Sequence, residues 1–429
     1  MDHVKKKIKT TLAAITLATF ALSVSLLISE MVIRQFYPIE TGISFLQYRI
    51  PHGVLGWSLE PGVSYVNVMQ ETEVLVQYNS NGWRDAEHDI ENQEGKFRIL
   101  VLGDSYMEAY SVGLKDTFFQ QLENLSQNRG LDIKTINLGV GGYGTLQEYL
   151  AFDTEGRKFE PDLVLLGFYI GNDLRNNDLN IESVIYKDSM KVNSRPFLVP
   201  LEESGWKITQ VDFDSARNRY LAAKRKQESL TERLKRNSAL IQATVNVFER
   251  SRKPVLGRGK HSTNHNDPRR RKKIKNMEYL ARYGQYYCNE PPEFTRAWDT
   301  TKRILNRLNN EVSEMGSTLV VFSVPAIHEV DTDERDKVTE NAPEGETLCL
   351  ESPPAYAHLR SILTDLSIKY IDLLPEFRDE MQNGGTNLYR RSDRHWNEKG
   401  HRLAAEIVFS TLTDEQLFTP IRNDDITSQ

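Results

Sequence analysis

A chain of 429 residues exceeds the usual single-domain range of ~100–200, so it holds one large domain with additions, or two domains. With 39% hydrophobic and 27% charged residues it is too apolar to be disordered, and a formal net charge of −6 gives no overall attraction to phosphate backbones or anionic lipid. Two cysteines, Cys288 and Cys349, cannot supply a CxxC pair or a Cys/His zinc cluster, so metal sites of that kind are not expected; no other metal and no cofactor is assigned.

The chain opens Met-Asp-His-Val-Lys-Lys-Lys-Ile-Lys, and the uncharged run from Thr10 to Ser29 is long enough as a helix to cross ~30 Å of hydrocarbon. Lys5, Lys6, Lys7 and Lys9 precede this run, whereas Glu30, Arg34 and Glu40 follow it. Positive-inside asymmetry therefore predicts a cytoplasmic basic tail at 1–9, a single transmembrane anchor at 10–29, and an exported remainder, periplasmic or extracellular. A signal peptide cleaved near Ser23-Val24-Ser25 is the rival; apolar sequence at Leu26-Leu27-Ile28 and Met31-Val32-Ile33 favours an uncleaved anchor. Export permits a Cys288–Cys349 disulfide, with two unpaired buried thiols as the alternative.

Between 50 and 94 the sequence alternates around Val66/Val68 and Val74/Val76/Tyr78 before the turn-rich Asn79-Ser80-Asn81-Gly82, a small β-rich lead-in. From Phe97 the rhythm changes: Arg98-Ile99-Leu100-Val101-Leu102 reads as a buried strand and Asp116 to Gln127 as a helix. Further strands are expected at Ile133 to Leu138, Leu163 to Phe168, Thr318 to Val324 and Ile368 to Leu373. Helices are expected at Thr145 to Phe152, Arg296 to Glu314 and Glu398 to Thr411. Such alternation predicts an α/β fold whose parallel sheet is covered on both faces. The segment 180–294 interrupts it as an insertion, with a helical face at Leu230, Leu234, Ile241, Val245 and Phe248. Its run Arg269-Arg270-Arg271-Lys272-Lys273 suits phosphate, lipid headgroups or an acidic polysaccharide, and a solvated loop is the plain reading.

The first core strand ends in Gly103-Asp104-Ser105-Tyr106, placing Ser105 where open α/β sheets bind ligands. A serine hydroxyl needs a neighbouring base, normally a histidine held by a carboxylate, and Asp393 with His395 lie on a loop before the last helix. Oxyanion-hole candidates are the backbone N–H groups of Ser105 and Gly142 and the side-chain amide of Asn172. Asp104 is a candidate anchor of the serine turn, while Asp173 and His401 read as structural.

These pieces resemble the SGNH/GDSL hydrolase family. Gly-Asp-Ser at Ser105 is similar to its nucleophile block, Asn137-Leu138-Gly139-Val140-Gly141-Gly142 to its glycine block, Gly171-Asn172-Asp173 to its asparagine block, and Asp393 with His395 to its acid and base. The blocks span about Phe97 to Asp178 and Thr318 to Val408, leaving the lead-in and insertion unmatched. The resemblance implies a flavodoxin-like three-layer α/β/α domain over 95–429. It further implies a Ser-His-Asp esterase or deacylase acting on an envelope-associated or extracellular carbohydrate or lipid ester. Tyr106 replaces the family's usual leucine. The spacing Asp393-Arg394-His395 is one residue shorter than the common form, in which Ser392 would hold the acid position; it is similar to the alginate-type O-acetyltransferases. An O-acyltransferase acting on a polysaccharide is therefore the alternative reading, and a non-catalytic binding protein on the same fold the second alternative.

The glycine block also spells Gly139-Val140-Gly141-Gly142-Tyr143-Gly144, a G-x-G-x-x-G pattern, but Glu160 and Asp162 precede the next strand rather than ending it, against a dinucleotide site. Neither a G-x-S-x-G elbow at Ser105 nor an H-E-x-x-H motif occurs. The expected partners are the ester substrate and, through the N-terminal helix, a membrane; nucleic acid is not expected.

Overall fold

In the computed structural model the described residues are 2–36, 48–69, 71–186, 190–201, 205–227 and 268–418, with scattered positions between 234 and 245. The chain divides into two compact units. One comprises Met1–Ile43, Val68–Gln70 and Leu221–Thr263; the other comprises Ser44–Asn67, Glu71–Tyr220 and Asn264–Gln429.

The first unit contains the helix Asp2–Phe36, whose apolar span Thr11–Ile33 is 23 residues, long enough to cross a bilayer. The hydroxyls of Thr11, Thr16, Thr19 and Ser23 each donate to the carbonyl four residues earlier, so these four are satisfied inside the helix. Within the same unit the Ser238 hydroxyl and the Leu240 N–H donate to the Glu30 carboxylate. Of the helical face expected in the insertion, Leu230 and Phe248 lie outside the described residues.

The second unit begins with antiparallel β1 (Arg49–His52) and β2 (Gly56–Leu59), then β3 (Ser64–Val68, of which Ser64–Asn67 belong to this unit) and β4 (Glu73–Gln77). In β4 the expected alternation holds and Val74 and Val76 are buried. In β3 the inward face carries Tyr65 and Asn67, while Val66 is exposed. Specific partners override hydrophobicity there: Tyr65 stacks on Tyr48 at 4.0 Å and bonds the Tyr78 hydroxyl at 3.0 Å, and the Asn67 amide donates to the Tyr110 carbonyl at 3.0 Å.

The central sheet holds β5 (Phe97–Gly103), β6 (Ile133–Asn137), β7 (Leu163–Phe168), β10 (Thr318–Ser323) and β11 (Lys369–Ile371) in the order β11-β10-β7-β5-β6, every pair parallel. Numbered among themselves these strands run 2-1-3-4-5, the flavodoxin-like order. Every residue of β5 and β7 is buried, as two covered faces require. The helix Phe118–Asn128 packs against Glu398–Asp414, and Thr145–Thr154 packs against Pro292–Glu314. The last of these starts four residues before the expected Arg296, with proline in its first turn, where the missing N–H costs nothing. A short hairpin, β8 (Leu198–Pro200) with β9 (Trp206–Ile208), lies in the insertion outside the main sheet. The basic run Arg269 to Lys273 falls on the helix Pro268–Tyr283, not in the expected loop.

Cys288 and Cys349 are joined as a disulfide across a sequence separation of 61. Closing a loop of that length restricts the unfolded chain, a stabilisation of about 2–4 kcal/mol. Replacing both cysteines by serine should lower the thermal melting point by several degrees, read by circular dichroism; an unchanged melting point would show the cross-link contributes nothing.

Candidate active site

Beside β5 the strand order reverses, since β6 lies on one side of it and β7 on the other; this is where open sheets expose a ligand crevice. Gly103 ends β5, and the short helix Ser105–Glu108 follows. Asp104 caps that helix, its Oδ1 accepting the Tyr106 N–H at 3.0 Å. Its Oδ2 accepts the Asn172 side-chain amide at 2.8 Å and lies 3.4 Å from Ser105 Oγ. One fully buried oxygen thus gathers the serine and the asparagine, which are 67 residues apart in the Ser105–Asn172 numbering, and Asn172 is fixed as a donor. Burial pushes the Asp104 carboxyl above its ordinary range, against the stabilising Tyr106 and Asn172 amides.

The other half of the site is a small hairpin before the last helix. Tyr389 bridges Trp396, the Arg390 N–H donates to the His395 carbonyl at 2.8 Å, and the Arg394 N–H donates to the Arg390 carbonyl at 2.9 Å. Trp396 is fully buried among Tyr106, Phe377 and His401, and the Asn397 side chain caps the helix that follows. Between Asp393 and His395, Arg394 has φ 65°, the left-handed region that costs a non-glycine residue about 1–2 kcal/mol. Two contacts hold it there: the Tyr106 hydroxyl donates to its carbonyl at 3.3 Å, and its guanidinium pairs with Glu334 at 2.9 Å.

The left-handed step lets an aspartate only two positions away reach the imidazole. Asp393 Oδ1 accepts the His395 N–H at 3.1 Å, and Oδ2 lies 3.4 Å from His395 Nδ1. The Asp393 carbonyl is closer to Nδ1, at 3.1 Å, so backbone and carboxylate share the task of orienting the ring. His395 Nε2 then lies 2.7 Å from Ser105 Oγ. With acceptors around Nδ1, that nitrogen carries the proton and Nε2 is free to accept one. Burial lowers the His395 pKa, but the Asp393 carboxylate outweighs it and leaves it above the ordinary 6.5. Ser105, Asp393 and His395 are all half-buried.

The glycine block completes the surroundings. Asn137 shapes it, accepting the Gly139 N–H at 3.1 Å and donating to the Met107 carbonyl at 3.1 Å. A Cβ on Gly141 would lie 2.5 Å from the Arg49 guanidinium, 2.8 Å from Glu108 and 3.5 Å from Ser105 Cβ, so a side chain there would have to push the buried Arg49–Glu108 pair aside. Gly142 has φ 81°, which glycine adopts without strain. The structure therefore brings Ser105, His395, Asp393, Asn172 and the glycine block together. Asp173 and His401 stand apart from the reacting pair: Asp173 accepts the Tyr169 N–H at 2.9 Å, and His401 Nδ1 accepts the Phe118 N–H at 3.3 Å. Burial lowers the His401 pKa to about 3, so it stays neutral. In the sequence Tyr106 stood out only as a replacement for the family's usual leucine, and its bond to Arg394 was not foreseen; nor were Glu108 and Arg195, which grip the glycine block. Among the described residues no group of three or more His, Cys, Asp or Glu side chains is arranged to hold a metal ion.

Residues 286–429 match the family model described as "SGNH hydrolase-like domain, acetyltransferase AlgX". The chain resembles the SGNH hydrolases, with an AlgX-type relationship over those residues. The matched span contains Asp393 and His395; Ser105, the glycine block and Asn172 precede it. Among solved structures, an acetyl xylan esterase, AlAXEase, is similar at 12% identity and a TM-score of 0.36, covering 73% of this chain and 99% of its own. The psychrotrophic esterase EstA from Pseudoalteromonas sp. is similar at 10% identity and a TM-score of 0.35, covering 75% and 99%. A lipase/acylhydrolase from Enterococcus faecalis is similar at 11% identity and a TM-score of 0.35, covering 76% and 98%. No curated protein matches the chain.

If His395 is the base, it must be neutral to act, so kcat/KM for an ester should fall as pH drops through a midpoint above 6.5. Asp393→Asn removes the charge that raises this pKa and should move the midpoint down. A pH–rate profile with the same midpoint in both proteins would break the link between Asp393 and His395.

Proposed function

We propose that this chain is a serine-dependent acyl-transfer enzyme in which Ser105 is the nucleophile, His395 its base and Asp393 the group that orients the imidazole. The 2.7 Å contact between Ser105 Oγ and His395 Nε2 carries this reading. Ser105 Oγ attacks the ester carbonyl carbon as its proton passes to Nε2, and the negative charge collects on the carbonyl oxygen. The Ser105 N–H, the Gly142 N–H and the Asn172 amide are the proposed oxyanion hole. Collapse of the tetrahedral adduct breaks the bond to the alcohol, which leaves with the proton from His395, and the acyl group stays on Ser105.

The acceptor decides the activity. With water the cycle ends in hydrolysis, and the enzyme is an esterase or deacylase of an envelope-associated or extracellular carbohydrate or lipid ester. A second reading, O-acyl transfer to a polysaccharide hydroxyl, is supported by the AlgX-type match across the segment with the Asp-x-His spacing. In either case residues 95–429 are read as the catalytic domain, with 180–294 inserted. The N-terminal apolar helix supports a single-pass anchor with the catalytic domain exported.

The test uses the full-length protein in detergent and follows p-nitrophenol release from short acyl esters, with and without an oligosaccharide acceptor. Turnover should disappear in Ser105→Ala, and Asn172→Ala should lose about 10²–10³-fold in kcat. Acceptor-dependent acylation of the sugar decides for the transferase. Turnover that survives in Ser105→Ala removes this serine from the chemistry.

A further inference from the structure

Two buried ionic groups, neither needed to activate the serine, grip the backbone on either side of Gly142. On one side the Gly141 N–H donates to Glu108 Oε2 at 2.6 Å. On the other, Arg195 donates to the Gly142 carbonyl at 2.7 Å. The amide between them, Gly142 N–H, donates to no group among the described residues. We propose that Glu108 and Arg195 are positioning residues that lock the Gly141–Gly142 segment, so that the Gly142 N–H is held as a fixed oxyanion donor beside Ser105. This proposal rests on the acyl-transfer reading of Ser105.

Each gripping group is itself immobilised. Glu108 is 1% exposed; its Oε2 also accepts from Arg49 at 2.7 Å, and its Oε1 accepts the Tyr78 hydroxyl at 2.9 Å. Arg195, 4% exposed, also donates to Gln147 Oε1, lies 3.4 Å from Glu182, and stacks over the Trp57 ring at 5.0 Å. Bonds with an ionised partner are about twice as strong as neutral ones. Glycine is the residue with the most backbone freedom to lose, so a glycine-built donor needs such clamps if it is to cost no reorganisation as charge develops. Removing one partner of a buried ionic pair is strongly unfavourable, which makes these contacts firm rather than optional. Glu108 comes from the helix that starts at Ser105, but Arg49 and Tyr78 belong to the lead-in and Arg195 to the insertion. The two segments outside the family's blocks therefore meet at its oxyanion glycine.

The experiment compares full-length Arg195→Met, Arg195→Lys and Glu108→Gln with the native protein in detergent. Three quantities are read: kcat and KM for p-nitrophenyl acetate, the rate at which a fluorophosphonate captures Ser105, and the pH midpoint of kcat/KM. The expected result is a fall in kcat of about 10–100-fold with KM held within about twofold, because a misplaced donor weakens only the transition state. Phosphonylation should slow by a similar factor while the pH midpoint stays put. Arg195→Lys should recover part of the loss, since it keeps a cation near the Gly142 carbonyl. If Arg195→Met does not fold, the near-isosteric Glu108→Gln decides. Native-like kcat and capture rates in the variants overturn the positioning claim alone. Failure of the native protein to be captured at Ser105 overturns the acyl-transfer reading and the proposal with it.

Discussion

A serine hydroxyl becomes a nucleophile only when a neutral imidazole is held against it, and here that contact joins residues 290 positions apart. Everything around it serves to make the distance short. The parallel sheet delivers Ser105 to the point where its strand order reverses, and the last loop delivers His395 over the same edge. Tyr106 ties the halves together, since it follows Ser105 in sequence, packs on His395 and Trp396, and bonds the Arg394 carbonyl. A left-handed residue inside the loop would relax if left alone; the Tyr106 hydroxyl and the Glu334 carboxylate keep it in place.

The second theme is buried charge. Asp104, Glu108, Arg84 and Arg195 are all withdrawn from water near Ser105, where an unpaired ion would be prohibitive. Each is paired with backbone groups of the loops it braces. Arg84 donates to the Glu108 and Ala109 carbonyls, closing the short helix that begins at Ser105. A hydrophobic core of the same volume could be as stable or more so. What the ions add is direction, because a guanidinium or carboxylate fixes the orientation of a peptide in a way that methyl groups do not.

The legible part of this molecule was the part whose chemistry is local. Mostly apolar runs marked β5, β7 and β10, as strands covered on both faces favour, whereas β6 and β11 carry polar residues and were marked by fewer apolar positions. Ser105, Asn172 and His395 could be proposed as candidates because their residue types follow from the reaction and each sits just beyond a readable element, and the fold does bring them together. Glu108, Arg195 and Arg49 could not, since their partners are backbone groups or side chains far away in sequence, and a buried ion looks like a surface ion until the fold is known. The β3 face failed for the same reason: Tyr65 and Asn67 turn inward to partners at Tyr48, Tyr78 and Tyr110 that no alternation pattern encodes. The pairing of Cys288 with Cys349 likewise depends on chain geometry over 61 residues.

The central claim is that the acyl group passes through Ser105, and it is tested most directly by trapping the intermediate. Full-length protein in detergent would be mixed with p-nitrophenyl acetate, quenched in acid within milliseconds, digested, and analysed by mass spectrometry. The account predicts one acetyl group on the peptide containing Ser105, formed in step with the first burst of p-nitrophenol. A burst without an adduct on that peptide, or with the acetyl group on another residue, would contradict it.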